Sequence, residues 1–182
     1  MEKKHYDRIF EATNSLKVFS FLAKNPSQEF LSSEIQPAVS VSRAGAYLAL
    51  QDLLRERLVN KTEKGRFHLY SINLDNPIVG QFKVLMNVIL LEPLILKLRS
   101  FMVRMVLFGS ASRGEDTPSS DIDLFILSKV PEIIREHLTS YKAERKLQTI
   151  ILAPAEWPEF RETEKEFFEE IEKGIVLWEE KD

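Results

Sequence analysis

Two short stretches of this chain combine residue types whose spacing could do chemistry. The first reads Val106-Leu107-Phe108-Gly109-Ser110-Ala111-Ser112-Arg113-Gly114-Glu115. Its apolar start predicts a buried strand that ends at Phe108. Gly109 then lets the backbone approach a ligand closely, and Ser110 offers a hydroxyl where a short helix begins. Unsatisfied N–H groups at a helix start attract anions, phosphate in particular. Arg113 adds a forked cation nearby. The second stretch reads Ser119-Ser120-Asp121-Ile122-Asp123-Leu124. Alternate side chains of a strand leave the same face, so Asp121 and Asp123 project together. Two carboxylates on one face of an apolar strand repel unless a positive group sits between them. An oxygen-rich pair of this kind suits Mg²⁺ or Mn²⁺. A divalent ion beside a phosphate-holding turn implies phosphoryl or nucleotidyl transfer, in which the ion neutralises a triphosphate, polarises its α-phosphate and orients an attacking hydroxyl.

Gly109-Ser110, ten intervening positions, then Asp121-Ile122-Asp123 resembles the signature of the DNA polymerase β-type nucleotidyltransferase superfamily. Ala111-Ser112-Arg113-Gly114-Glu115 and Ser120-Asp121-Ile122-Asp123-Leu124 are similar to its minimal nucleotidyltransferase branch. The resemblance covers roughly residues 92–182. It implies a small mixed sheet with flanking helices. Gly109 and Ser110, with Arg113 beside them, would hold a nucleoside triphosphate, and Asp121 and Asp123 would bind divalent metal and serve catalysis. In that superfamily a third carboxylate from a neighbouring strand completes the metal site. The matching strand here is the segment 146–152, which contains no acid. Gln148 or Thr149 stands where the acid is expected, with Glu144 before the strand and Glu156 after it. Two functions are therefore kept in view. One is a nucleotidyltransferase acting on a hydroxyl of a protein, a small molecule or a nucleic acid, and antitoxin-type members that modify a partner protein are one such case. The other is a DNA-binding transcriptional regulator whose C-terminal domain has lost catalysis and binds nucleotide or dimerises.

The elements that must position these residues can be read from periodicity. After Phe101 the pattern turns to strands at 102–108, 121–127 and 147–152, with helices at 131–141 and 162–172 and a short final strand at 175–178. Strands alternating with helices argue for a sheet with helices packed on it, an α/β (α+β) domain. Upstream, residues 76–100 read as helix. Pro77 fits its first turn, and Phe82, Leu85, Met86, Ile89 and Leu90 form an apolar stripe. Pro93 is expected to break or kink it near Leu91. The division expected is a first domain at 1–75, a connecting helix at 76–91 and a second domain at 92–182. The connecting stretch is also apolar enough to pair with a second copy, as a homodimer.

Residues 1–75 read as short helices followed by a hairpin. Leu16, Val18, Phe19 and Leu22 mark a helix that stops before Pro26. Ser32 starts a second that ends at Pro37. Ser42 is the N-cap of a third, in which Tyr47, Leu50, Leu53 and Leu54 recur at helical spacing. The runs 58–61 and 67–70 flank a charged turn, where Gly65 suits a positive φ. Three helices and a hairpin resemble the winged helix-turn-helix of small bacterial and archaeal transcription regulators. The resemblance places Ser42, Arg43 and Tyr47 at the opening of a recognition helix and Lys61, Lys64 and Arg66 on the wing, as contacts to double-stranded DNA. A winged helix used for protein contact or dimerisation is the alternative.

Composition bounds these readings. The chain has 182 residues, 44% hydrophobic and 29% charged, an ordinary balance for a globular protein. Its formal net charge of −3 gives no strongly basic field over the whole molecule. Residues 1–75 carry 11 Lys+Arg against 9 Asp+Glu, whereas 76–182 carry 14 against 19. With no cysteine, disulfides, thiolate metal sites and cysteine nucleophiles are excluded. The first ten residues are charged and lack the apolar core of a signal peptide, and the apolar stretch 84–98 is read as too short and too polar to span a bilayer. The expectation is a cytoplasmic protein. His5, His68 and His137 show no ligand spacing, and Trp157 and Trp178 are read as packing residues.

Overall fold

A computed structural model describes residues 12–181. His5 and the charged first ten residues lie outside the described part. The chain divides into two compact units, Met1–Lys83 and Val84–Asp182.

The first unit contains helix α1 (Asn14–Lys24), the two-residue strand β1 (Phe30–Leu31), helices α2 (Ser32–Ala38) and α3 (Arg43–Arg55), and strands β2 (Val59–Lys64) and β3 (Phe67–Ile72). Caps set the helix starts. Thr13 accepts from the Leu16 N–H at 3.2 Å, and Ser42 from the Gly45 N–H at 3.0 Å. The apolar faces of the three helices meet in one core, with Val18, Leu22, Ile35 and Leu50 almost fully enclosed beside Val59 and Ile72. Strands β2 and β3 form an antiparallel hairpin whose turn puts Gly65 at φ +62°, as its sequence position suggested. Strand β1, which periodicity did not reveal, pairs with β3 in an antiparallel order β1-β3-β2. This is the winged helix-turn-helix arrangement, with α3 as its third helix and β2–β3 as its wing. Pro37, expected to end α2, sits within its last turn.

Helix α4 (Pro77–Leu98) runs 22 residues across the boundary between the units. Of the break or kink expected near Leu91, the break does not occur: Pro93 lies inside the helix. Proline forfeits one backbone hydrogen bond, and the packing of the surrounding apolar residues outweighs that loss. The helix is long and apolar enough, by length and composition, to cross a membrane, which the shorter stretch read from sequence was not. Leu91, Leu94 and Leu98 are buried in the core of the second unit.

The second unit continues with strand β4 (Arg104–Phe108), helix α5 (Gly109–Arg113), strand β5 (Ile122–Leu127), helix α6 (Pro131–Thr139), strand β6 (Leu147–Leu152), helices α7 (Trp157–Thr163) and α8 (Lys165–Glu172), and strand β7 (Ile175–Glu179). The helix expected over 162–172 is two helices meeting at Glu164. The sheet is mixed, in order β6-β5-β4-β7. β5 runs antiparallel to β4 and parallel to β6, and β7 is antiparallel to β4. Both faces are covered. Met105, Leu107, Ile122, Leu124 and Ile126 pack with α4 and α6, while Val106, Phe108 and Phe125 pack with Trp157, Phe160 and Ile171. Alternation along β5 therefore decides which residues share the face that carries the acids.

Candidate functional site

Strand β4 is apolar from Met105 to Phe108 and enters the turn at Gly109. Gly109 has φ +68°, the left-handed region that disfavours a side chain. A Cβ built there would overlap Asp123 Oδ2. Both constraints demand glycine, and together they show the Asp123 carboxylate lying against the turn. Ser110 follows, half-buried, and among the described residues its hydroxyl has no hydrogen-bond partner. Ser112 Oγ donates to the Gly109 carbonyl at 2.8 Å, which closes the turn on itself.

Asp121 stands at the entry to β5 and Asp123 within it. Ile122 and Leu124 are fully buried on the opposite face, while both aspartates are half-buried. Periodicity-two alternation thus projects the two acids together, as the spacing required. Loss of hydration holds the Asp123 carboxyl above the usual aspartate range; the neighbouring Asp121 charge adds to this and the Arg113 charge opposes it. Asp121 has a counterion in Lys146, whose Nζ lies 2.6 Å from Oδ2. Lys146 is itself largely exposed.

Arg113 is at the end of α5 but does not stand free. Its Nε donates to Glu115 at 2.8 Å and its Nη1 to Glu170 of α8 at 3.1 Å, and its pKa is raised, chiefly by the Glu115 hydrogen bond. The register of the parallel pair answers which residue occupies the expected third-acid position. Asp123 stands opposite Gln148. Gln148 therefore shares the face of the acids. Thr149 belongs to the opposite face, with Leu147 and Ile151, which pack into the core. Glu156 is committed elsewhere, accepting the Ala153 N–H at 2.6 Å.

The donor set fits one divalent ion. Asp121 and Asp123 supply two carboxylates, and Mg²⁺ or Mn²⁺ completes such a shell with water and phosphate oxygens. Among the described residues no group of three or more His, Asp or Glu is arranged to hold a metal. A site with three carboxylates and two ions does not fit these residues, because an amide at position 148 is neutral.

Sequence reasoning missed the groups that carry the loop between the turn and the acid pair. Arg145, just before β6, pairs with the buried Asp116 at 2.6 Å and donates to the Ser120 carbonyl at 2.8 and 3.2 Å. Asn87 of α4 donates to the Ala111 carbonyl and to Asp116. In the sequence these are single polar residues far apart, with no periodicity to link them.

In the first unit the six residues expected at a DNA surface separate by role. Ser42 caps α3, and Arg43 and Tyr47 are exposed on it. On the wing, Lys61 pairs with Glu63 at 3.3 Å and Lys64 with Glu29 at 2.5 Å. Arg66 lies over the Phe67 ring. Glu63 also lies 3.3 Å from His68. Acids thus offset part of the wing's positive charge.

Comparison with known proteins finds a family similarity in the second unit. Residues 94–179 match the family described as nucleotidyltransferase domain. No curated protein matches the chain. Among solved structures, a single-site mutant of ZitR from Lactococcus lactis is similar at 17% identity and a TM-score of 0.37, over 47% of this chain and 60% of that one. The same mutant in complex with DNA gives 20% identity and a TM-score of 0.31, over 35% and 45%. The adhesin competence repressor AdcR from Streptococcus pyogenes gives 14% identity and a TM-score of 0.37, over 47% and 66%. The chain thus spans less than two thirds of each of these proteins.

Proposed function

We propose that the nucleotidyltransferase domain at 94–179 binds a nucleoside triphosphate with one Mg²⁺ or Mn²⁺ at Asp121 and Asp123 and transfers its nucleotidyl group to a hydroxyl acceptor. The observation that carries this reading is the contact between the Asp123 carboxylate and the Gly109 turn, which brings the acid pair against the place where phosphate would be held. Ser110 and the backbone at Gly109 would grip the phosphates, and Arg113 would join them once released from Glu115 and Glu170. The divalent ion, when bound, supplies charge neutralisation on the triphosphate and polarisation of the α-phosphate. In the reaction the acceptor oxygen forms a bond to the α-phosphorus, the bond to the bridging oxygen of pyrophosphate breaks, and the acceptor proton leaves. Gln148 has no basic atom, so that proton falls to water, and turnover is slow compared with a site holding a third carboxylate.

The test is incubation with α-labelled ATP, GTP, CTP and UTP and either ion, in the presence of candidate acceptors including a cell extract. Label on a protein, a nucleic acid or a small molecule, lost in Asp121→Ala and Asp123→Ala, supports the reading. Tight nucleotide binding with no transfer would favour the second reading, a regulator that senses nucleotide. The neutral Gln148 opposite Asp123 is the observation that favours that alternative.

For the first unit the reading is a module for double-stranded DNA, with Arg43 and Tyr47 at the exposed start of α3 as the groups that enter a groove. Ser42 acts there through its cap, and Lys61, Lys64 and Arg66 as phosphate contacts from the wing. A shift of duplex DNA that weakens with salt and with Arg43→Ala tests it. A cytoplasmic location, a homodimer formed through α4 and a partner protein as acceptor belong to the same proposal.

A further inference from the structure

Behind the acid pair lies a buried polar cluster. Asp116 and Asn87 are only 5% and 6% exposed, inside a unit whose interior is mostly apolar. Arg145 Nη1 reaches Asp116 Oδ2 at 2.6 Å and Asn87 Oδ1 at 3.3 Å, while Nε and Nη2 both donate to the Ser120 carbonyl. Asn87 Nδ2 donates to the Ala111 carbonyl at 3.0 Å and to Asp116 Oδ1 at 3.1 Å. The next backbone bond, Ile122 N–H to the Lys146 carbonyl at 2.9 Å, extends the connection into the β5–β6 ladder.

Burying an ion pair is a poor way to gain stability, because desolvation offsets much of the attraction. What this cluster does is geometric. Ala111 belongs to the turn that begins at Gly109, and Ser120 immediately precedes Asp121. Both halves of the site are therefore fastened to the same guanidinium, carboxylate and amide. The fork of arginine is needed, since one planar group must meet a carbonyl along one edge and a carboxylate along another. A lysine could keep the charge but could not make both contacts.

We propose that Arg145, held by Asp116 and Asn87, is a positioning residue that sets the Gly109-Ser110 turn and the Asp121–Asp123 pair at their working separation. The proposal rests on the reading of Asp121 and Asp123 as a metal site. Outer groups that orient metal ligands typically change metal affinity by about 10- to 100-fold when altered.

The test uses the full chain with Arg145→Lys and Asn87→Ala, and Arg104→Met as a control. Arg104 is also a partly buried arginine paired with acids, Glu172 and Glu179, but it lies at the other end of β4 from Gly109. Three quantities are measured: Mn²⁺ affinity by electron paramagnetic resonance without nucleotide, amide exchange over 114–123, and the melting temperature. The expected result is that Arg145→Lys weakens Mn²⁺ binding on the order of tenfold and speeds exchange over 114–123. Arg104→Met lowers the melting temperature and leaves Mn²⁺ affinity unchanged. Asn87→Ala, which keeps the Arg145–Asp116 pair, gives a smaller effect of the same kind and serves if Arg145→Lys does not fold. Wild-type exchange and affinity in Arg145→Lys overturn the proposal, as does an equal loss of Mn²⁺ affinity in Arg104→Met. If the wild type binds no Mn²⁺, the metal reading fails by itself, and exchange over 114–123 still reports whether Arg145 pins the segment.

Discussion

Asp123 stands directly opposite Gln148 across the parallel β5–β6 ladder, so an amide faces the acid pair where a third carboxylate would complete a two-ion site. Gln148→Glu is expected to raise nucleotidyl transfer on the order of 100-fold, the usual worth of a positioned base, and to tighten Mn²⁺ binding. Label transfer and Mn²⁺ titration on the same preparation measure both. An unchanged rate would mean that position 148 does not reach the reacting atoms.

Gly109→Ala meets two penalties, a side chain at φ +68° and overlap with the Asp123 carboxylate. A destabilisation of about 1–3 kcal/mol is expected from the backbone conformation. Mn²⁺ affinity should fall with it, because the carboxylate must move. Chemical denaturation and the same titration check the pair of effects; an alanine variant of native stability and affinity would contradict the contact.

Lys146 competes with any ion for Asp121 at 2.6 Å, and its side chain is 76% exposed. An ion pair so open to solvent contributes little, less than about 1 kcal/mol. Lys146→Met should therefore melt close to wild type while binding Mn²⁺ a few-fold more tightly. A weaker Mn²⁺ complex would show instead that the ammonium helps to order Asp121.

The raised pKa of Asp123 gives a pH dependence of defined sign. The folded state holds this proton more tightly than the unfolded chain, so stability falls as pH rises from the ordinary aspartate range through the raised folded value. Above that value the full penalty applies. Asp123→Asn should accordingly melt higher than wild type at pH 7, with the gain vanishing at acid pH where the wild-type carboxyl is also neutral. Mn²⁺ binding to the wild type should weaken as pH falls, starting above the ordinary aspartate range. A melting gain for Asp123→Asn that persisted at low pH would point to a cause other than charge.

On the wing, Lys64 is offset by Glu29 and Lys61 by Glu63. If the first unit binds DNA, Glu29→Gln should strengthen binding and steepen its salt dependence, since a cation is released for a phosphate. Arg43→Ala should weaken it. Fluorescence anisotropy with a random duplex at two salt concentrations distinguishes these outcomes, and a Glu29→Gln variant without effect would remove the wing from the contact.

The local order of this chain could be read without its fold. Apolar periodicity located α1, α3, β4, β5 and β6, Ser42 marked a helix start, and the two-residue spacing put Asp121 and Asp123 on one face, because each of these depends only on neighbours along the chain. Helix α4 passing through Pro93 could not be read so, since packing of Leu91, Leu94 and Leu98 overrides the local preference. The identity of the residue facing Asp123 needed the register of β5 against β6, which leaves no mark in either strand's composition. The Asn87–Asp116–Arg145 cluster and the Lys146–Asp121 pair join positions 25 to 58 residues apart. Sequence alone determined which residues carry charge and which turn must contain glycine; only the folded sheet decided which charges meet, because strand pairing and helix packing bring distant segments to hydrogen-bond distance.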